Sequence, residues 1–126
     1  MSQHHPISPL QVSPNGRYFT DGDGRPTFWL GDTLWELFRL FDADEALRIL
    51  QRRRAQEFNV ILVMLTGVDT THNTADTPGG CVNLHGERPW LEDDPLRPNE
   101  RYFQHIDTMI RLGEQTGQTL VVGIFH

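Results

Sequence analysis

Two unbroken apolar stretches constrain this chain more than anything else in it: Val60-Ile61-Leu62-Val63-Met64-Leu65, and the run from Thr119 to Phe125. Neither alternates. A strand with one wet face alternates apolar with polar side chains. A strand that is apolar throughout is covered on both faces, which is the situation of parallel strands lying between layers. Parallel neighbours need long crossovers, and the sequence between and before the two runs supplies helical ones.

Asp42 followed by Glu45 has the spacing of a capping box. It predicts a helix over about 43–57 with Ala46, Leu47, Ile49 and Leu50 on its inner side. Asn99 predicts the start of a second helix, about 100–116, with Phe103, Ile106, Ile110 and Gly113 inward, His105 on the solvated side and Gly117 as its terminator. Upstream, Asn15-Gly16 between Leu10–Val12 and Tyr18–Thr20 reads as a hairpin. The Asp21-Gly22-Asp23-Gly24 turn then leads into a strand over Thr27–Gly31, with Pro26 at its start, where a missing donor is tolerated. Leu34, Leu37, Phe38 and Phe41 share one face of a short helix. The order is hairpin, strand, helix, strand, loop, helix, strand, over residues 10–126, after a flexible terminus at 1–9.

Strands alternating with helices imply a parallel sheet with right-handed crossovers. A doubly wound sheet and a segment of a (β/α)8 barrel both fit. The first strand ends in Gly31-Asp32-Thr33 without the G-x-G-x-x-G of a dinucleotide site, and no G-x-x-x-x-G-K-[ST] phosphate loop occurs. The barrel is favoured. A whole barrel takes about 250 residues, so the expected fold class is α/β, a partial (β/α)8 TIM barrel of about three strands behind an N-terminal β-hairpin.

The 126 residues fit one domain, and 11 Lys+Arg against 17 Asp+Glu leave a net charge of −6. That balance argues against a nucleic-acid partner or an anionic membrane surface, both of which need a basic patch. Arg52-Arg53-Arg54 falls inside a predicted helix and reads as a solvated face. No apolar stretch approaches the roughly 20 residues of a membrane span. The start, MSQHHPISPL, lacks the apolar core of a signal peptide, so the chain as written is expected in the cytoplasm.

Cys81 is alone, the six His lack ligand spacing, and the three Ser (Ser2, Ser8, Ser13) precede the first barrel strand. No disulfide, metal centre, serine nucleophile or cofactor is expected. Asp21–Asp32 places acids where a calcium loop has them but puts Pro26 at the turn glycine, and a hairpin turn is the better reading.

In parallel α/β barrels ligands meet the C-terminal ends of the strands. Asp32, Thr66 and His126 follow such ends. Asp32 then either faces a ligand or caps the next helix, and Trp35 either stacks on a sugar ring or packs in the core. The long polar loop over about 66–98 adds Thr70, Thr71, His72, Asn73 and Asn83 as hydroxyl-recognising groups, with Trp90 as a second stacking ring.

Three blocks, "LQVSPNGRYFTDGDGRPTFWLGDTLWELF", "RAQEFNVILVML" and "NERYFQHIDTMIRLGEQTG", resemble the N-terminal part of the apiosidase-like glycoside hydrolases over about residues 10–125. The first block, with W-L-G-D-T-x-W, is the most specific. Glu57 stands where that family usually has Gly, and Glu100 where Pro is typical. The resemblance implies a (β/α)8 barrel acting on plant cell-wall, pectin-type polysaccharides, with export in full-length relatives. It implies Asp32, Trp35 and Asn73 as substrate-side residues. The family's catalytic carboxylates follow its fourth and seventh strands, which this sequence does not reach, so no catalytic residue is assigned. Two readings follow. The chain is the first third of a hydrolase barrel, inactive alone, or it is a non-catalytic carbohydrate-binding or interaction module. A weaker third is an enzyme assembled from several copies. The open sheet edge is expected to promote self-association.

Overall fold

The computed structural model describes residues 9–67 and 82–124. Its framework is two three-stranded sheets and two long helices. The first sheet is antiparallel: β1 (Gln11–Val12), β2 (Phe19–Thr20) and β3 (Pro26–Thr27), in that order. The second is parallel: β4 (Gly31–Thr33), β5 (Val60–Met64) and β6 (Thr119–Gly123). The short helix α1 (Leu37–Leu40) and α2 (Ala43–Ala55) connect β4 to β5, and α3 (Glu100–Thr116) precedes β6.

The expected hairpin is present but extends to a third strand. Pro26–Thr27 pairs with β2, and the parallel strand starts only at Gly31. The expected single strand at 27–31 is therefore two short ones with a bend between them. Asn59 fixes that bend: its Oδ1 accepts from the Leu30 N–H at 2.9 Å, and its Nδ2 donates to the Phe28 carbonyl. Phe19 and Trp29, 5.4 Å apart between ring centres, pack the small sheet against the bend.

The helix signals hold. Asp42 accepts from the Glu45 N–H at 2.8 Å while the Glu45 carboxylate accepts from the Asp42 N–H at 3.1 Å, the reciprocal capping box. Asn99 caps α3 by accepting from the Arg101 N–H at 3.2 Å, and Gly117, at φ 71°, ends it in the left-handed region. The inner face of α3 is rotated from the expected one. Tyr102, His105, Ile106, Met109 and Gly113 are buried, whereas Ile110 is 42% exposed. The Tyr102 hydroxyl supplies a reason: it donates to the Leu65 carbonyl at 2.9 Å, which ties its side of the helix to the end of β5.

The core lies between the parallel sheet and the helices. It holds Ile61 and Val63 from β5, Leu37 and Phe38 from α1, Ala46 and Leu50 from α2, and Tyr102, Ile106 and Met109 from α3. Leu120 and Val122 of β6 pack against this cluster and are only partly buried. They share a groove of about 260 Å³ with Ile110 and Glu114, along the edge where β6 has no further strand beside it among the described residues. A Cβ at Gly113 would sit 2.7 Å from Leu120 Cγ, which explains why α3 carries glycine where it crosses β6. Gly113→Ala is therefore expected to overpack this contact and lower stability by about 1–3 kcal/mol, read from urea denaturation.

Candidate functional site

The parallel register sorts the side chains around the strand ends. Gly31, Asp32 and Thr33 pair with Val60, Ile61 and Leu62. Bonds continue past β4: the Leu34 N–H donates to the Leu62 carbonyl at 2.9 Å, and the Met64 N–H donates to the Trp35 carbonyl at 3.1 Å. Successive side chains point to opposite faces. Ile61 and Val63 lie in the core under the helices, so Asp32 and Leu34 fall on that face, and Leu34 does pack against the core. Thr33 falls on the other face, with Leu62 and Val121, and Met64 and Gly123 continue that face. Trp35 lies in the turn after β4, at the C-terminal end of the sheet, and is 44% exposed.

Asp32 differs from the expectation. It lies inside the ladder, not at its end, and on the helix-facing side. Its carboxylate is bonded by Arg53 Nε from the last turn of α2, and Arg53 is further held by Gln56 Oε1 at 2.9 Å. Both side chains are about one-third exposed or less. The parallel register and the Arg53 contact make Asp32 a tie between β4 and α2, directed away from the open face. Asn73, His72, Thr70 and Thr71 lie outside the described residues, as do Cys81 and His126.

Both stems of the long loop converge on α1. At the first stem, Gly67 has φ 83° and a close neighbour: an added Cβ would lie 2.8 Å from Glu36 Oε2 and 3.0 Å from Arg39 Nε. Those two groups form an ion pair at 2.7 Å with Arg39 buried. At the second stem, the Leu84 N–H donates to the Arg39 carbonyl at 2.9 Å. Asn83 shapes a turn there, its Oδ1 accepting from the N–H groups of His85 and Glu87, both at 3.0 Å. Glu87 accepts from Asn99 Nδ2 at 2.9 Å. Trp90, a stacking candidate in the sequence, packs on Phe103 with ring centres 5.6 Å apart.

The sequence missed two features. The Glu36–Arg39 pair had a signal, opposite charges three apart within an otherwise apolar helical stretch. The contact of His85 Nε2 with His105 Nδ1, at 3.3 Å, had none, because the residues are twenty apart and belong to different elements. His105 is buried rather than solvated. Burial first, and then the neighbouring His85, push its pKa below the usual value, while the Phe38 and Phe41 carbonyls and Asp42 oppose the shift. No group of three or more metal-ligating side chains occurs among the described residues. No helix among them is long and apolar enough to cross a membrane.

Compared with known proteins, residues 13–125 match the family model described as the apiosidase-like catalytic domain. A solved structure titled as a glycoside hydrolase is 27% identical, with a TM-score of 0.74, and covers 91% of this chain but 25% of its own length. A family 5 glycoside hydrolase from Bacteroides vulgatus ATCC 8482 is 21% identical, with a TM-score of 0.72, over 95% of this chain and 24% of that one. A second structure from that organism, titled a putative glycoside hydrolase, is 17% identical with a TM-score of 0.62, over 100% of this chain and 25% of its own. The two below 25% identity bear on the fold alone. No protein of curated function matches. The chain thus spans about a quarter of the length of the solved structures it resembles.

Replacing Arg39 would remove the 2.7 Å ion-pair partner of the Glu36 carboxylate, which is only 20% exposed. Arg39→Met is expected to cost about 2–3 kcal/mol, below the full cost of breaking a deeply buried pair. Equilibrium denaturation checks the value, with Arg54→Met, on an exposed face of α2, as the near-neutral control.

Proposed function

The chain belongs to the apiosidase-like catalytic-domain family, and from that premise we propose that it forms the first strand–helix units of a (β/α)8 glycoside hydrolase barrel and one wall of its carbohydrate site. The single observation that carries this reading is the placement of Trp35. It follows β4 at the C-terminal end of the parallel strands, its carbonyl accepting from the Met64 N–H, and it is half exposed. In a closed barrel that end is the mouth, where barrel enzymes bind their ligands. Met64 and Gly123 pair at that end, and the Met64 thioether already fills the space over Gly123.

The substrate class follows from the resemblance: plant cell-wall polysaccharide of the pectin type, met by Trp35 and, from the loop, by Asn73. Asp32 is reassigned to holding α2 on β4. Glycoside hydrolysis uses two carboxyl groups flanking the scissile bond, about 5–5.5 Å apart when configuration is retained. Asp32 faces the helices and Glu36 is paired with Arg39. Neither supplies a free carboxylate beside Trp35. The acid pair is therefore assigned to further strand ends of a complete barrel, and these residues contribute binding.

The same placement favours one second reading, a sugar-binding module without hydrolysis. Titration of this chain with pectin-derived oligosaccharides, followed by calorimetry or by the Trp indole NMR signals, tests the shared part. Trp35→Ala is expected to weaken binding roughly fivefold, the loss of about 1 kcal/mol of aromatic contact, with the circular dichroism spectrum unchanged. Equal affinity in the variant would remove Trp35 from the site. Release of reducing sugar by this chain, abolished in Asp32→Asn, would place the chemistry in these residues and overturn the assignment of the acid pair elsewhere.

A further inference from the structure

The His85–His105 contact joins two elements with different anchorage. His105 is held in α3, buried beneath the end of α1. His85 is on the 83–87 turn, which closes through Asn83 and the Asn83 N–H to Glu87 carbonyl bond at 2.9 Å. The rings meet edge to face, 80° apart in plane, with Nε2 of His85 3.3 Å from Nδ1 of His105. At that distance one nitrogen must carry the proton and the other must offer its lone pair. The contact is a hydrogen bond only while at least one ring is neutral.

We propose that this pair is a proton-operated latch on the second stem of the long loop, closed when His105 is neutral and released when both imidazoles are charged. Two N–H groups then face each other across the same gap, and the bond becomes a repulsion. The released stem is residues 83–88, between the candidate site and the start of α3.

The surrounding charges set the balance. Asp42, at the start of α2, favours a charged His105, and burial and His85 disfavour it. Several other charged groups on the packed elements are already engaged. Glu36 and Arg39 pair with each other at α1, Glu45 accepts from the Asp42 N–H, and Glu87 on the turn meets Arg101 of α3 at 3.6 Å. The sign follows from linkage. A histidine whose folded pKa is depressed adds stability that is fully present above its ordinary value of about 6.5. That stability is lost as pH falls through the lower folded value, because the open form binds more protons. The latch does not depend on what the chain binds.

Hydrogen exchange on the intact chain, corrected for intrinsic rate, tests it between about pH 7.5 and about pH 5, the range in which imidazoles titrate. The expected result is at least a tenfold rise in exchange of residues 83–88 on acidification, with α2 protected throughout. His85→Asn, a change at an exposed position, should make the stem's exchange nearly independent of pH. His105→Gln, which keeps a polar side chain in the buried place, should do the same. A full acid response in His85→Asn would overturn the proposal. So would a rise on acidification shared equally by α2, which would be global unfolding.

Discussion

Everything at the candidate site depends on the register of β4 against β5. Asp32 opposite Ile61 puts the carboxylate under the helices, and Thr33 opposite Leu62 falls on the open face. A slip of one residue would exchange them, because side chains alternate strictly along a strand. What pins the register lies at both ends of the strand. At the start, Asn59 bonds the backbone of Leu30 and Phe28. Beyond Asp32, Leu34 must enter the core, and a shifted strand would bury Thr33 instead. The Arg53–Asp32 pair then matches the charge that the register brings to the helix side. Such a partly exposed pair contributes little to stability by itself, but it fits one register and opposes the other.

A second constraint acts on the loop. Its two stems leave from β5 and arrive at α3, yet both touch Arg39. Closing a loop costs conformational entropy whatever its sequence. Here that cost is offset locally by the Tyr102 hydroxyl on the Leu65 carbonyl, by the Gly67 contact with the ion pair and by the Asn83 turn. α1, only four residues long, thus serves as the post to which the loop's ends are tied.

The elements that the sequence showed plainly are those whose signals are local. The capping box at Asp42, the cap at Asn99 and the apolar runs of β5 and β6 are each written within a few residues. The inner face of α3 was displaced because His105 was placed on the solvated side and Tyr102 was not counted inward, while the structure buries both against partners far off in sequence, Leu65 and His85. Asp32 was misplaced for a related reason. A Gly-Asp-Thr after an apolar run looks like a strand end, but here it is the strand itself: Asp32 pairs with Ile61, and the side it faces depends on that register, which no local pattern contains. Trp35 follows in the turn after β4.

The sheet's outer edge carries one more physical demand. β6 presents Leu120 and Val122 toward the helices and Val121 toward the open face, and Ile124 just beyond it is 59% exposed. An edge that is apolar on both faces and free of the charges or prolines that usually blunt such edges is not satisfied by a single helix, which would cover one face and leave the backbone unpaired. It is not satisfied by a bare strand either, which would leave the groove beside Ile110 open. A parallel strand followed by its own helix meets all three needs at once: backbone partners, cover for Leu120 and Val122, and continuation of the open face from Val121. That is the repeat unit already present in β4 to β5 and β5 to β6. The pairing that built β4 to β5 and β5 to β6 is therefore the one that fits this edge as well.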